Sequence, residues 1–142
     1  MTDLHQTRHK NKTLAAFLAF LLGGLGLQRL YLRGWRDPWL WAHLACLPAA
    51  LLVALAAPQA DNFYKLLPII VSGLAGFLEA LVIGVAADEK WDARYNPRSG
   101  RQSDTHWPVA VVLVASMMIG SGGLIATISR LFDLLYTGGA YG

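Results

Sequence analysis

The amino-acid composition excludes an ordinary soluble domain: of 142 residues, 55% are hydrophobic and 15% are charged, whereas soluble domains carry about 25% charged residues. The length corresponds to a single domain, and the charged residues cluster between long apolar runs. The formal net charge of +3 does not indicate nucleic-acid binding, because basic residues that flank apolar runs anchor and orient membrane helices.

The first apolar run follows a basic polar tail over residues 1–12. His5 and His9 in this tail lack a third ligand, so we predict no metal site there. The run over residues 13–27 would cover roughly 22 Å as a helix, whereas the hydrocarbon layer is about 30 Å thick. Extension to residue 32 makes it long enough to cross, with Arg29 reaching back to the interface. We expect this run to be retained, because it shows no signal-peptide cleavage site.

A short connection and a tryptophan-rich second run come next. Gly34 and Pro38 interrupt the helical pattern, and we predict a second span over residues 38–57. The tryptophans at its start are typical of the headgroup level of a bilayer; they are Trp35, Trp39 and Trp41. Cys46 is the only cysteine in the sequence, so no internal disulfide can form.

Two further spans are predicted over residues 63–87 and 108–128, with a polar loop over residues 88–107 between them. Both spans carry regularly placed small residues, which allow another helix backbone to approach closely. The predicted helix-packing residues are Ser72, Gly76, Ala80, Gly84, Gly120 and Gly123. The end, residues 137–142, is glycine-rich, and we expect it to be a flexible tail.

These segments predict an all-α fold: a polytopic integral membrane protein built as a small bundle of four transmembrane helices. Residues 13–57 would form a helical hairpin, and residues 58–136 a second pair of helices. Four spans put both termini on one side of the membrane. The connections over 28–37 and 88–107 then hold seven basic residues, and the opposite side holds five. This count favours cytoplasmic connections and external termini.

Polar residues inside the apolar runs define a candidate site. Glu79 is the one carboxylate well inside a run, and an intramembrane ionisable residue is a functional candidate. Antiparallel arrangement of the spans brings His43, Glu79 and Ser116 to the same depth. These residues form either a protonatable site for a cation or proton, or an interhelical hydrogen bond that fixes packing. We favour the second interpretation, because the ligand set is too small for a metal.

Catalytic motifs are not recognisable in the sequence. The serines have no histidine and carboxylate in a known arrangement, and the glycine-rich turns do not follow a strand as a phosphate-binding loop would. Intramembrane proteolysis would need a second carboxylate beside Glu79. We therefore predict a non-enzymatic protein with no cofactor and no metal.

A lysine-rich lead, an alanine- and leucine-rich helix, a glycine-rich turn and an Arg-x-Tyr-Leu signature follow one another in residues 10–32. This order resembles the TM-two (two-transmembrane-helix) domain family, over about residues 10–55. The residues at the positions of the family turn are Gly23, Gly26, Gln28, Arg29 and Tyr31. Gln28, Leu30 and Arg33 stand where the family usually has aspartate or histidine, phenylalanine, and glycine. The resemblance implies a bacterial inner-membrane protein without an agreed enzymatic activity, consistent with a binding or scaffold role.

The preferred functional hypothesis is a non-enzymatic, multi-pass protein of the bacterial cytoplasmic (inner) membrane that acts as an interaction or assembly module. Its partners would be the lipid bilayer and either another membrane protein or further copies of itself, and no nucleic acid. The alternative is ion or proton permeation through an oligomer, using His43 and Glu79. A third hypothesis, lipid handling by the tryptophans and by Arg29, Arg33 and Arg36, competes with a simple anchoring role for these residues.

Overall fold

The computed structural model describes residues 8–141, and over this range the protein is all-α, as predicted. The helices are α1 (Lys12–Leu22), α2 (Leu27–Arg33), α3 (Pro38–Ala56), α4 (Asn62–Val85), α5 (Asp88–Tyr95) and α6 (Trp107–Tyr136). Three of them, α3, α4 and α6, are long and apolar enough to cross a membrane. His5 of the predicted tail lies outside the described residues.

Local sequence signals explain where the long helices begin. Asp37 caps α3, because its carboxylate accepts a hydrogen bond from the Trp39 amide at 2.9 Å. Asp61 caps α4 in the same way through the Phe63 amide, at 2.8 Å. Pro38 occupies the first turn of α3, where its missing N–H costs no hydrogen bond. The predicted bounds of these two helices are therefore close to the observed ones, whereas α6 continues eight residues past the predicted end at 128.

The first apolar segment is not one helix, and the prediction of a continuous span over residues 13–32 is wrong. α1 ends at Leu22, a 3₁₀ turn follows, and Gly26 takes a left-handed φ of 71° before α2 begins, which glycine does at little steric cost. α2 then returns to the start of α1: the Asn11 amide donates to the Tyr31 hydroxyl at 2.9 Å, and the Lys10 ammonium donates to the Leu32 carbonyl. Residues 12–33 thus form a helical hairpin, the α1–α2 hairpin, that starts and finishes at the same end of the bundle.

Helix α4 is the centre of the bundle, since α1, α3 and α6 all pack on it. Three residues of the predicted small-residue face of α4 lie against the α1–α2 hairpin: Ser72, Gly76 and Ala80. A Cβ atom added to Gly23 would lie 2.5 Å from the Gly76 Cα, so the two backbones are in direct contact. Ala80 is fully buried in the same core as Ala16 of α1. This face is consequently used within the chain and is closed to a partner helix.

The interface between α4 and α6 also depends on glycine. Each of three predicted packing glycines meets a larger side chain across this interface: Gly84 meets Leu113, Gly120 meets Phe77, and Gly123 meets Leu74. These contacts let large side chains of one helix fill the space that glycine leaves on the other.

One end of the bundle, which we call the cap end, is closed by polar residues and by α5, a helix within the predicted loop over 88–107. Trp91 of α5 is 2% exposed, and its indole N–H donates to the Lys10 carbonyl at 3.0 Å. Lys12 pairs with Asp88 at 2.7 Å, and Asp88 also accepts from the Thr105 amide at 2.9 Å. Burial raises the pKa of the Asp88 carboxyl, but the hydrogen bonds from Lys12 and Thr105 outweigh it, so the pKa is lowered. These bonds tie the starts of α1, α5 and α6 together.

The opposite end, which we call the far end, holds the connection between α3 and α4 and the last turn of α6. There Arg130 pairs with Asp61 at 3.1 Å and with Asp133 at 2.7 Å. At the cap end, His9 contacts Ser99 through their Nδ1 and Oγ atoms at 3.1 Å. The first and last described residues therefore lie at opposite ends of the bundle. This differs from the four-helix arrangement predicted from the sequence, in which the first and last helices bring both chain ends to the same end of the bundle, because the first segment turns back.

We expect Gly76→Ala to destabilise the fold, because the new Cβ would lie 2.6 Å from the backbone of Gly23. The expected loss is about 1–3 kcal/mol of unfolding free energy, typical of overpacking. Gly73→Ala is the matched control, since a Cβ at Gly73 of the same helix has no atom within 4 Å. Thermal unfolding of both variants in mild detergent checks this. Equal stability of the two would contradict the close contact of α4 with the hairpin.

Candidate functional site

The candidate site is built around the Glu79 carboxylate, on α4. Arg29 of α2 binds it with two parallel hydrogen bonds, Nε to Oε2 at 2.8 Å and Nη2 to Oε1 at 2.8 Å. The Gln28 amide adds a third bond to Oε2 at 2.7 Å. The Glu79 side chain is 16% exposed and that of Arg29 is 23% exposed. A bidentate pair in such surroundings is among the stronger polar contacts in proteins, and here it fastens α2 to α4.

His43 of α3 joins the same carboxylate from another side. Its Nε2 atom lies 3.4 Å from Glu79 Oε1, and its Nδ1 atom lies 2.7 Å from the Ser72 hydroxyl. That hydroxyl also donates a hydrogen bond to the Gly24 carbonyl at 2.7 Å. The structure thus brings the predicted residues His43 and Glu79 together and adds Ser72.

Ser116, the third member of the predicted polar layer, is not joined to the other two. It is fully buried on α6, and its hydroxyl oxygen has no hydrogen-bond partner among residues 8–141. α6 packs on α4 and α1, on a different side of α4 from His43. Equal depth along the helices placed these residues in one layer, but depth does not fix the face of each helix.

The residues of the family-like turn hold the α1–α2 hairpin in place. Gly26 is packed against His43, because a Cβ added there would lie 3.1 Å from the His43 Cβ. Gly23 contacts α4, and Tyr31 closes the hairpin at Asn11. The sequence suggested that Arg29 reaches back to the membrane interface, whereas in the structure the Nε–Nη2 edge of its guanidinium binds Glu79.

A second carboxylate contributes to the site from the start of α3. Asp37 is 2% exposed, and its Oδ2 atom lies 3.7 Å from Arg29 and 3.9 Å from Arg33. In the sequence, Asp37 falls in the predicted connection over 28–37 and is not among the predicted site residues. Its position directly before a proline at a helix start, four residues after an arginine, is the signal that identifies it.

Next to this network an open groove of about 500 Å³ runs between α3 and α4. Its polar wall consists of Arg29, His43, Ser72 and Glu79. The remaining lining is largely apolar, and the α5 end contributes Arg94 and Tyr95. The volume lies within the range of about 300–1,000 Å³ found for small-molecule sites, and we call this feature the α3–α4 groove.

Comparison with known proteins identifies no relative: no family model, no curated protein and no solved structure matches the sequence. The resemblance to the TM-two domain family therefore stays a prediction. Within residues 8–141, no group of three or more histidine, cysteine, aspartate or glutamate side chains is arranged to hold a metal ion.

We expect Arg29→Leu to lower the unfolding free energy by about 3 kcal/mol, because it leaves a mostly buried carboxylate without its countercharge. Combination with Glu79→Leu should restore part of the loss, since neither charge then remains. Unfolding in mixed micelles measures both effects. Arg36→Leu is the control, because Arg36 is exposed and forms no ion pair among the described residues. A double variant no more stable than Arg29→Leu would contradict a direct pair.

Proposed function

We propose that the protein is a multi-pass protein of the bacterial cytoplasmic (inner) membrane, with α3, α4 and α6 as spanning helices and the α1–α2 hairpin as a re-entrant element. The supporting observations are the length and apolarity of the three helices and the large apolar side chains that they expose, such as Leu55, Leu78 and Met118. A non-helical turn is tolerated at membrane depth where protein surrounds it. Gly23 and Gly26 are buried, and Ser72 binds the Gly24 carbonyl.

We further propose that the cap end faces the cytoplasm. Because the hairpin returns, residues 8–12 join the other basic segments at the cap end. Ten of the twelve lysines and arginines then lie there, against two at the far end, and basic residues near helix ends favour the cytoplasmic side. The two at the far end are Lys65 and Arg130. With four spans, the basic residues divide seven to five between the two sides of the membrane. With three spanning helices, they divide ten to two.

Labelling of single cysteines tests this topology in a Cys46→Ser background. A membrane-impermeant maleimide added to intact spheroplasts should label Gln59→Cys and Tyr141→Cys, but neither Arg8→Cys nor Arg98→Cys before lysis. All four positions are exposed in the fold. A four-span topology with cytoplasmic connections over 28–37 and 88–107 instead labels Arg8→Cys as well as Gln59→Cys and Tyr141→Cys. Labelling of Arg8→Cys in intact cells would therefore overturn the re-entrant hairpin.

Within the membrane we propose a non-enzymatic role as an interaction or assembly module. The observation that carries it is the pairing of the intramembrane polar groups with one another. Glu79 is bound by Arg29, Gln28 and His43, and His43 is bound by Ser72. These polar groups bind one another within the chain. A partner would therefore contact the exposed surface of the bundle and not the polar network. The small-residue face of α4 is covered by the hairpin, so a partner would use the exposed sides of α3 or α6.

Size measurement and cross-linking test the interaction role. We expect a stoichiometric homo-oligomer or a fixed heteromeric complex after purification in mild detergent, seen by light scattering and native mass spectrometry. Leu52→Cys on α3 and Met118→Cys on α6, each in the Cys46→Ser background, report which exposed side is in contact; their side chains are 66% and 70% exposed. A monodisperse monomer with no cross-link at either position would contradict the proposal. A proton or cation flux in liposomes that Glu79→Gln abolishes would favour the permeation hypothesis instead.

A further inference from the structure

The α3–α4 groove is open along its side. Several of its lining side chains are more than half exposed, namely Trp39, Val71, Leu78 and Val82. Small side chains are also among its lining residues, namely Ala75 of α4 and Cys46 of α3. In the topology proposed above, on which this inference rests, such a groove faces lipid along its length. Apolar walls of this shape suit a hydrocarbon chain better than a polar ligand.

The cap-end mouth of the groove carries an excess of positive charge. Three arginines line the groove there: Arg29, Arg33 and Arg94. Arg29 is neutralised by Glu79, at 2.8 Å. Asp37, the carboxylate nearest Arg33 at 3.9 Å, is shared with Arg29 at 3.7 Å. Three guanidinium groups thus face two carboxylates, which leaves one positive charge in excess.

Arg94 supplies that excess. It is exposed on α5, and no carboxylate of residues 8–141 lies within 4.0 Å of its guanidinium. The Arg94 guanidinium carbon lies 5.5 Å from the centre of the Tyr95 ring, which also lines the groove. A cation that is held beside an aromatic ring and not bound to a carboxylate remains able to bind an anion.

We propose that the α3–α4 groove binds an anionic phospholipid, with one acyl chain in the apolar slot and the phosphate between Arg33 and Arg94. Charge complementarity selects this occupant over a neutral lipid. In the proposed orientation, the cytoplasmic leaflet supplies anionic headgroups at the level of the cap end. One phospholipid can therefore place its phosphate at the arginines and an acyl chain in the apolar part of the groove.

Lipid titration followed by native mass spectrometry tests the assignment on the full chain in mild detergent. Phosphatidylglycerol and phosphatidylcholine with identical acyl chains are the probes. We expect phosphatidylglycerol to bind about thirtyfold more tightly, which corresponds to about 1 kcal/mol for each of the two arginines near the headgroup. Arg33→Gln with Arg94→Gln should remove this preference. Arg98→Gln with Arg101→Gln, two exposed arginines of the cap end outside the groove, should keep it.

A second variant tests the chain slot. Ala75→Phe fills the groove and should weaken binding of both lipids, while the preference for the anionic headgroup is retained in the residual binding. The inference is overturned by equal affinity for the two lipids, by equal losses in the groove pair and the control pair of arginine variants, or by a protein segment cross-linked into the groove.

Resistance of the protein to alkaline extraction from membranes tests the membrane location separately from the lipid site. Extraction of the protein by alkali would contradict the membrane location itself. Retention of the protein in the membrane, together with equal affinity for the two lipids, would contradict only the lipid site. The arginine variants keep the test decisive if Ala75→Phe does not fold, because Arg33 and Arg94 are exposed and their replacement leaves the core intact.

Discussion

The ion pair between Arg29 and Glu79 is the interaction on which the rest of the structure depends. A carboxylate in the middle of a long apolar helix is costly unless a countercharge neutralises it. Arg29 can do so only because the chain turns at Gly23–Leu25 and brings α2 back beside α4. The pair, with the bonds of Glu79 to Gln28 and His43, therefore couples α2, α3 and α4.

Close backbone contact makes this coupling possible. The Gly23 and Gly76 backbones touch, so the hairpin sits deep enough for α2 to reach Glu79. Backbone groups of the turn that lack a hydrogen bond would be costly in an apolar environment. The Ser72 hydroxyl donates a hydrogen bond to one of them, the Gly24 carbonyl. Small residues and polar residues thus have complementary roles on α4: the former bring the hairpin close, and the latter fix its position.

The same arrangement distributes charge along the bundle. Arg29 and Glu79 neutralise each other between the helices, whereas most of the basic residues lie at the cap end. The α3–α4 groove connects these two regions, since its wall includes the network and its mouth includes Arg33 and Arg94. The proposed orientation in a bilayer and the proposed recognition of an anionic headgroup thus both follow from the return of α2 to the cap end.

The sequence by itself determined the helical class and the starts of α3, α4 and α6, because apolar run length, aspartate caps and prolines act locally. It also indicated that His43 and Glu79 share a depth. The tertiary structure decided that the first segment reverses, because a 20-residue apolar run with three glycines can either span or turn. It also decided that Arg29, 50 residues away in sequence, is the countercharge of Glu79, and that Ser116 does not bind His43 or Glu79. Helix rotation and packing set these contacts, and sequence spacing does not.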